Sequence, residues 1–173
     1  MRNSITPLPG GRLRKEYRGT LAWKREITLL RQMAGSGLCP ELLDAPLREA
    51  EMTECPGVPL GECIRTASRQ EAREMMAALA AWTDAFEREY HRRTGQTAVL
   101  EDLSPGNFLW DAASRKITGL DFEFWHTGSP AENRGGLLCM AERLKAAEIT
   151  GEELTGELYR QFRGGSGRAE LEH

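Results

Sequence analysis

A chain of 173 residues with a hydrophobic share of 40% suits one domain or one small two-lobed unit with a packed core. No apolar run approaches the roughly 18 residues of a membrane span, and the first residues carry no signal-like block, so a cytoplasmic placement is expected. The net charge of −3 is uneven: residues 1–31 hold eight Lys/Arg against two acids, the remainder fifteen against twenty-four. The basic segment suits a polyphosphate or is simply a solvated surface, and the acidic remainder argues against broad nucleic-acid binding.

Residues 1–11, with Pro7, Pro9 and Gly10–Gly11, read as an irregular lead-in or one short strand. Leu13 to Tyr17 then alternates, with Leu13, Lys15 and Tyr17 on one side and Arg12, Arg14 and Glu16 on the other, the pattern of a strand. Gly19–Thr20 break to a helix over about Leu21 to Ala34. Trp23, Ile27, Leu30 and Ala34 form its apolar stripe, and Glu26 falls inside that stripe. A carboxylate placed there needs a partner, because an unpaired buried charge is costly. Lys15 on the preceding strand is the candidate; a carboxylate at the rim of the stripe and a solvated lysine also fit the letters.

Gly35 to Gly37 end the helix, and Cys39 to Leu43 begin an extended piece. Another follows over Ala50 to Cys55, then the Pro/Gly-rich segment Pro56 to Gly61. Ser68 and Glu71 form a capping box for a helix running to about Arg93 and Gly95. Its apolar face is Ala72, Met75, Met76, Leu79, Trp82, Phe86 and Tyr90. His91 on its last turn is a favourable helix-end cation. Thr97 to Leu100 reads as a short strand.

Next comes the stretch Leu100 to Glu123, LEDLSPGNFLWDAASRKITGLDFE. Two apolar runs, Phe108 to Trp110 and Ile117 to Phe122, flank a polar turn and predict a β-hairpin. Folding it about residues 113–114 sets Asn107 opposite Leu120 and Asp121, close enough for one hard cation to touch both side chains. Asp102 precedes them in a loop with Pro105 and Gly106, free to project. Two oxygen donors for a metal beside a lone carboxylate for a reacting hydroxyl is the arrangement phosphoryl transfer needs. Beyond Glu123, FWHTGSPAENRGG reads as a loop, with His126 a surface or hydrogen-bonded histidine. A helix follows over about Leu137 to Ala147, and Thr150 with Glu153 caps a last helix ending near Phe162. The four cysteines, Cys39, Cys55, Cys63 and Cys139, lack metal-ligand spacing and read as reduced, mostly buried thiols.

The order of these features resembles the protein-kinase-like superfamily over about residues 12–147. The closest style is that of the bacterial aminoglycoside, choline and lipopolysaccharide-core kinases, whose loops read like D-L-x-P-x-N followed by D-F-E or D-F-G. The resemblance implies an α+β fold of minimal protein-kinase-like form. A truncated antiparallel-sheet N-lobe (residues 1–60) would precede a mainly helical C-lobe (61–163), then a flexible tail and tag remnant (164–173). It implies an ATP- and Mg2+-dependent phosphotransferase acting on a hydroxyl acceptor, a small molecule rather than a protein. Asp102 would be the catalytic base, and Asn107 and Asp121 the magnesium ligands. Lys15, held by Glu26, would meet the nucleotide phosphates, and the backbone near Glu54 and Cys55 would meet the adenine. An ordinary strand and turn fit Glu54–Gly61 equally well.

Against the family pattern, Leu100 stands where many kinases have histidine and Glu123 where protein kinases have glycine. Fewer than fifteen residues precede Lys15, leaving little space for a glycine-rich loop; Gly10–Gly11 would supply at best a rudimentary turn over the phosphates. A pseudokinase-like module that binds a nucleotide or partner without turnover is therefore the alternative. Uncovered sheet edges in a shortened first lobe suit a homodimer.

Overall fold

The computed structural model describes residues 3–166. The first sheet is antiparallel, with strands β1 (Ser4–Leu8), β2 (Arg12–Glu16), β3 (Leu42–Asp44) and β4 (Glu49–Thr53) in the order β1-β2-β4-β3. Gly10 and Gly11 both take positive φ, 80° and 68°, which lets the chain reverse tightly so that Leu8 pairs with Arg12. The lead-in is thus a full edge strand. Helix α1 (Thr20–Gln32) lies between β2 and β3 and buries Glu26, Ile27, Leu29 and Leu30. Trp23 on α1 donates its indole N–H to the Glu49 carbonyl (2.9 Å), fastening the helix to β4.

Two short elements replace the expected Pro/Gly turn after residue 55. Strand β5 (Val58–Pro59) pairs with β7 (Phe108–Asp111), and helix α2 (Leu60–Thr66) follows directly. Gly57 (φ 120°) is required here, since a Cβ would meet the Trp110 carbonyl oxygen at 2.7 Å. Helix α3 (Arg69–Thr94) begins at the Ser68 capping box and stops at Gly95, in the left-handed conformation.

The hairpin of β7 and β8 (Lys116–Gly119) has the expected register, Phe108 opposite Gly119 and Asp111 opposite Lys116. It is packed on α3 by aromatic rings: Trp82 lies 5.3 Å from Phe108 edge-on, and Phe86 lies 5.9 Å from Phe122 in a stack. Burying such rings is stabilising; truncating one to alanine costs about 3–5 kcal/mol. A Cβ on Gly119 would run into the Trp82 ring. The Leu38 carbonyl accepts both the Trp82 indole N–H (2.8 Å) and the Gly119 N–H (3.0 Å).

Strand β6 (Ala98–Leu100) pairs with β9 (Trp125–Thr127), a strand inside the segment expected to be loop. Helix α4 (Pro130–Glu142) starts seven residues before the expected Leu137 and stops before Ala147. Its Ser129–Glu132 capping box and Pro130 at the first turn explain the early start. Helix α5 (Gly151–Ser166) continues past Phe162 through Gly164–Ser166, into the stretch expected to be tail; the rest of that stretch, 167–173, lies outside the described residues. Of the cysteines only Cys39 is buried; Cys55 and Cys63 are half-buried and Cys139 is exposed.

Candidate functional site

Lys15 is the charged centre of the molecule. It sits on β2 facing α1, only 5% exposed, and Glu26 on α1 is 2% exposed. Their charges meet at 2.7 Å. The ammonium also contacts Asp121 Oδ1 and Glu123 Oε1, each at 3.1 Å, and lies 4.9 Å from the Tyr17 ring centre. Burial alone would push the Lys15 ammonium down, but Glu26 and Asp121 outweigh it and hold it above the usual lysine range. Burial pushes the Glu123 carboxyl up, against the pull of Lys15. Burial, with Glu26 nearby, also drives the Tyr17 phenol upward.

The other Glu26 oxygen accepts the Phe122 N–H at 3.0 Å. One carboxylate therefore joins the strand lysine to the segment after the hairpin, which is how a residue on α1 fixes Asp121. Asp121 itself has φ 60°, uncommon for a non-glycine residue. Its carboxylate is the part-exposed member of the cluster.

Asn107 closes the turn Ser104–Asn107, its N–H donating to the Ser104 carbonyl at 2.9 Å. Its carbonyl accepts the Leu120 N–H (2.8 Å), which puts Asn107 opposite Leu120 and one residue from Asp121, as the hairpin register predicts. The Asn107 side-chain amide donates to the Asp102 carbonyl at 3.2 Å, tying the two loop residues together. Asn107 and Asp121 thus lie close across the hairpin; an amide oxygen and a carboxylate are the donor types that a hard cation takes. Asp102 is exposed, and its carboxylate has no hydrogen bond or ion pair among the described residues.

Glu54 and Cys55 stand apart from this cluster. Thr53 pairs with Arg12 and Ala50 with Lys15, so they lie on the order of 10 Å or more along the sheet from the lysine. The Glu54 N–H already donates to the Gly11 carbonyl at 2.9 Å. The same bond places Gly10–Gly11 at the Glu54 end of β2, four residues from Lys15, rather than over the lysine. The basic segment is likewise divided: Lys15 faces inward, while Arg12 and Arg14 pair with Glu51 at 3.4 and 3.0 Å.

Sequence reasoning missed three contributors. Glu123 completes the carboxylate set on Lys15 and also accepts a hydrogen bond from Asn3; its only signal was an acid two residues after Asp121. Buried Asn133 on α4 accepts the Leu100 N–H (2.8 Å) and donates to the Ala98 carbonyl (2.9 Å), bracing the strand that delivers Asp102. His126 bridges Glu101 (2.7 Å) and Glu132 (3.4 Å), which hold its imidazole above the usual histidine range. The surface, hydrogen-bonded place of His126 is as the sequence predicts, but its partners depend on the pairing of β6 with β9, and those of Asn133 on the packing of α4 against β6.

No protein-family model and no curated protein sequence matches the chain. Solved structures do. The gentamicin complex of APH(2")-IIa superposes with a TM-score of 0.69 at 10% identity, covering 96% of this chain and 75% of that one. The streptomycin–ATP ternary complex of APH(2")-IIa gives 0.65 at 11% identity over 94% and 79%. ADP-bound aminoglycoside phosphotransferase APH(2'')-Ib gives 0.64 at 11% identity over 98% and 79%. A four-stranded antiparallel sheet and one helix, followed by a mainly helical part carrying a polar hairpin, is thus an architecture shared with these enzymes over most of its length: the chain has a reduced protein-kinase-like fold.

Proposed function

We propose that the protein is an ATP- and magnesium-dependent phosphotransferase with a small hydroxyl compound as acceptor. The observation that carries this is the contact of Lys15 with Glu26 and Asp121, beside an Asp102 carboxylate left without a partner. Residues 1–60 form the nucleotide side and 61–163 the side that carries the chemistry. Lys15, oriented by Glu26, meets the nucleotide phosphates. The backbone near Glu54 and Cys55 meets the adenine, at a distance from the lysine that an extended nucleotide spans. Asn107 and Asp121 would hold a magnesium ion, which would supply neutralisation of charge on the phosphates. Asp102 orients the acceptor hydroxyl and takes its proton. The hydroxyl oxygen bonds to the γ-phosphorus, the bond to the bridging oxygen breaks, and ADP leaves with that electron pair.

Both structures of APH(2")-IIa and that of APH(2'')-Ib are complexes of phosphotransferases with an acceptor or a nucleotide, which supports nucleotide use by this chain. No helix among the described residues is long and apolar enough to cross a membrane; the chemistry suits the cytoplasm, where ATP is available. Exposed Ile5 on the edge strand β1 suits contact with a second copy. A second reading, a pseudokinase-like binding module, is favoured by one observation: Lys15 is already satisfied by three protein carboxylates.

Thermal-shift titration separates the two. Mg-ATP should raise the Tm of the parent by mass action and do so far less for Asp121→Asn. ADP release should then require Asp102, with Asp102→Asn slower by about 10²-fold or more. Nucleotide stabilisation with no ADP release above buffer would favour the nucleotide-binding module; no stabilisation at all would sink the phosphotransferase and leave a module that binds a partner alone.

A further inference from the structure

A cleft of about 410 Å3 opens beside Asp102, between the 101–105 loop and the last turns of α4. Small-molecule sites occupy roughly 300–1,000 Å3. The wall is closely built: a Cβ on Gly136 would meet the tip of the Leu103 side chain, which would have to turn aside. Leu103, Met140 and Leu144 make the cleft partly apolar.

Its charged groups are Glu101, Asp102 and Arg143. Glu101 is engaged by His126 Nδ1 at 2.7 Å. Arg143 ends α4, where the helix dipole favours a cation. That position accounts for a positive residue, but not for one lining a cleft shared with Asp102. The Arg143 guanidinium has no hydrogen bond or ion pair among the described residues. A planar fork of donors without a partner at one side of a cleft, and a free carboxylate at the other, is a pair of recognition groups. The first matches an oxyanion in two-point contact; the second takes a hydroxyl.

We propose that Arg143 makes this cleft selective for alcohols that carry an oxyanion, a carboxylate or a phosphate ester, over cationic amino alcohols. This rests on the phosphotransferase reading of Asp102. The hydroxyl lies at Asp102 and the oxyanion at Arg143, with the carbon body against Leu103 and Met140. A cationic acceptor would find no partner at the guanidinium, and its charge would compete with its hydroxyl for Asp102.

Cys139 is exposed on the cleft wall, so its alkylation by iodoacetamide, mapped by peptide mass, reports occupancy without turnover. Glycerol 3-phosphate and glycerate should protect Cys139 in the parent and fail to protect it in Arg143→Glu, while choline and gentamicin should not protect the parent. With Mg-ATP, the same anionic alcohols should raise ADP release. Arg143→Ala should raise their KM by about tenfold or more, the loss expected for one charge-assisted contact, with the effect falling on KM rather than kcat. Equal or better protection by choline or gentamicin overturns the proposal, as does protection unchanged in Arg143→Glu or none from either anionic probe. Arg143-dependent protection without any ADP release upholds the cleft's selectivity and overturns phosphoryl transfer instead. ADP release stimulated by gentamicin and indifferent to Arg143→Ala does the reverse.

Discussion

Lys15 and Asp102 carry opposite charges in opposite surroundings. The lysine is enclosed and touches three carboxylates; the aspartate is exposed and its carboxylate touches no partner among the described residues. Removing a charge from water is costly and is offset only when partners are held in place, so Lys15 is bound up with the fold. Asp102 carries no such obligation. Its loop is held by other atoms, the Asn107 amide and the Ser104 turn, which leaves the carboxylate free for a substrate. The same molecule thus ties one charge into its fold and leaves the other open to solvent.

The contrast breaks first at Lys15. Lys15→Met leaves Glu26, Asp121 and Glu123 facing one another without their cation, and should cost about 3–5 kcal/mol in urea unfolding. Asp102→Asn, the converse, should leave stability within about 0.5 kcal/mol. Equal losses in the two variants would erase the distinction.

A pH series sharpens it. The Glu123 carboxyl is raised by burial, so the folded protein holds that proton more firmly than the unfolded chain. Its contribution to stability is present at low pH and is lost as pH rises from the ordinary value of 4.5 through the raised one. Glu123→Gln should therefore gain in Tm relative to the parent across that window. Parallel Tm curves for the two proteins would contradict the direction of the shift.

The smallest effect belongs to the exposed clamp at His126. Its imidazole is raised by hydrogen bonds to Glu101 and Glu132. The parent's advantage over His126→Gln should be full below the ordinary value of 6.5 and vanish as pH rises through the raised one. A difference in Tm that ignores pH would mean that the ring acts only as a neutral hydrogen-bonding spacer.

How far the sequence carried depends on which kind of spacing held the information. Glu26 was legible because a helix has a fixed period, so an acid in an apolar stripe announces an inward charge and a need for Lys15. The hairpin register was legible because the polar turn fixes its centre, and Asn107 falls opposite Leu120 as that centre requires. The start of α4 was hidden inside FWHTGSPAENRGG, read as a loop; Pro130 occupies the helix's first turn, and Gly136 lies against the Leu103 side chain. Strand β9 has three residues and no period to detect, so the partners of His126 that depend on it stayed out of sight. Glu54 and Cys55 rested on resemblance to a family alone, and the letters around them allowed an ordinary turn.

The Leu38 carbonyl receives two donors, the Trp82 indole and the Gly119 amide. It works as a rivet through three pieces of chain: the exit from α1, the long helix α3 and the return strand of the hairpin. Removing the indole donor, as in Trp82→Phe, would leave the Gly119 amide as that carbonyl's remaining donor and loosen the tie between the helix and the segment after α1.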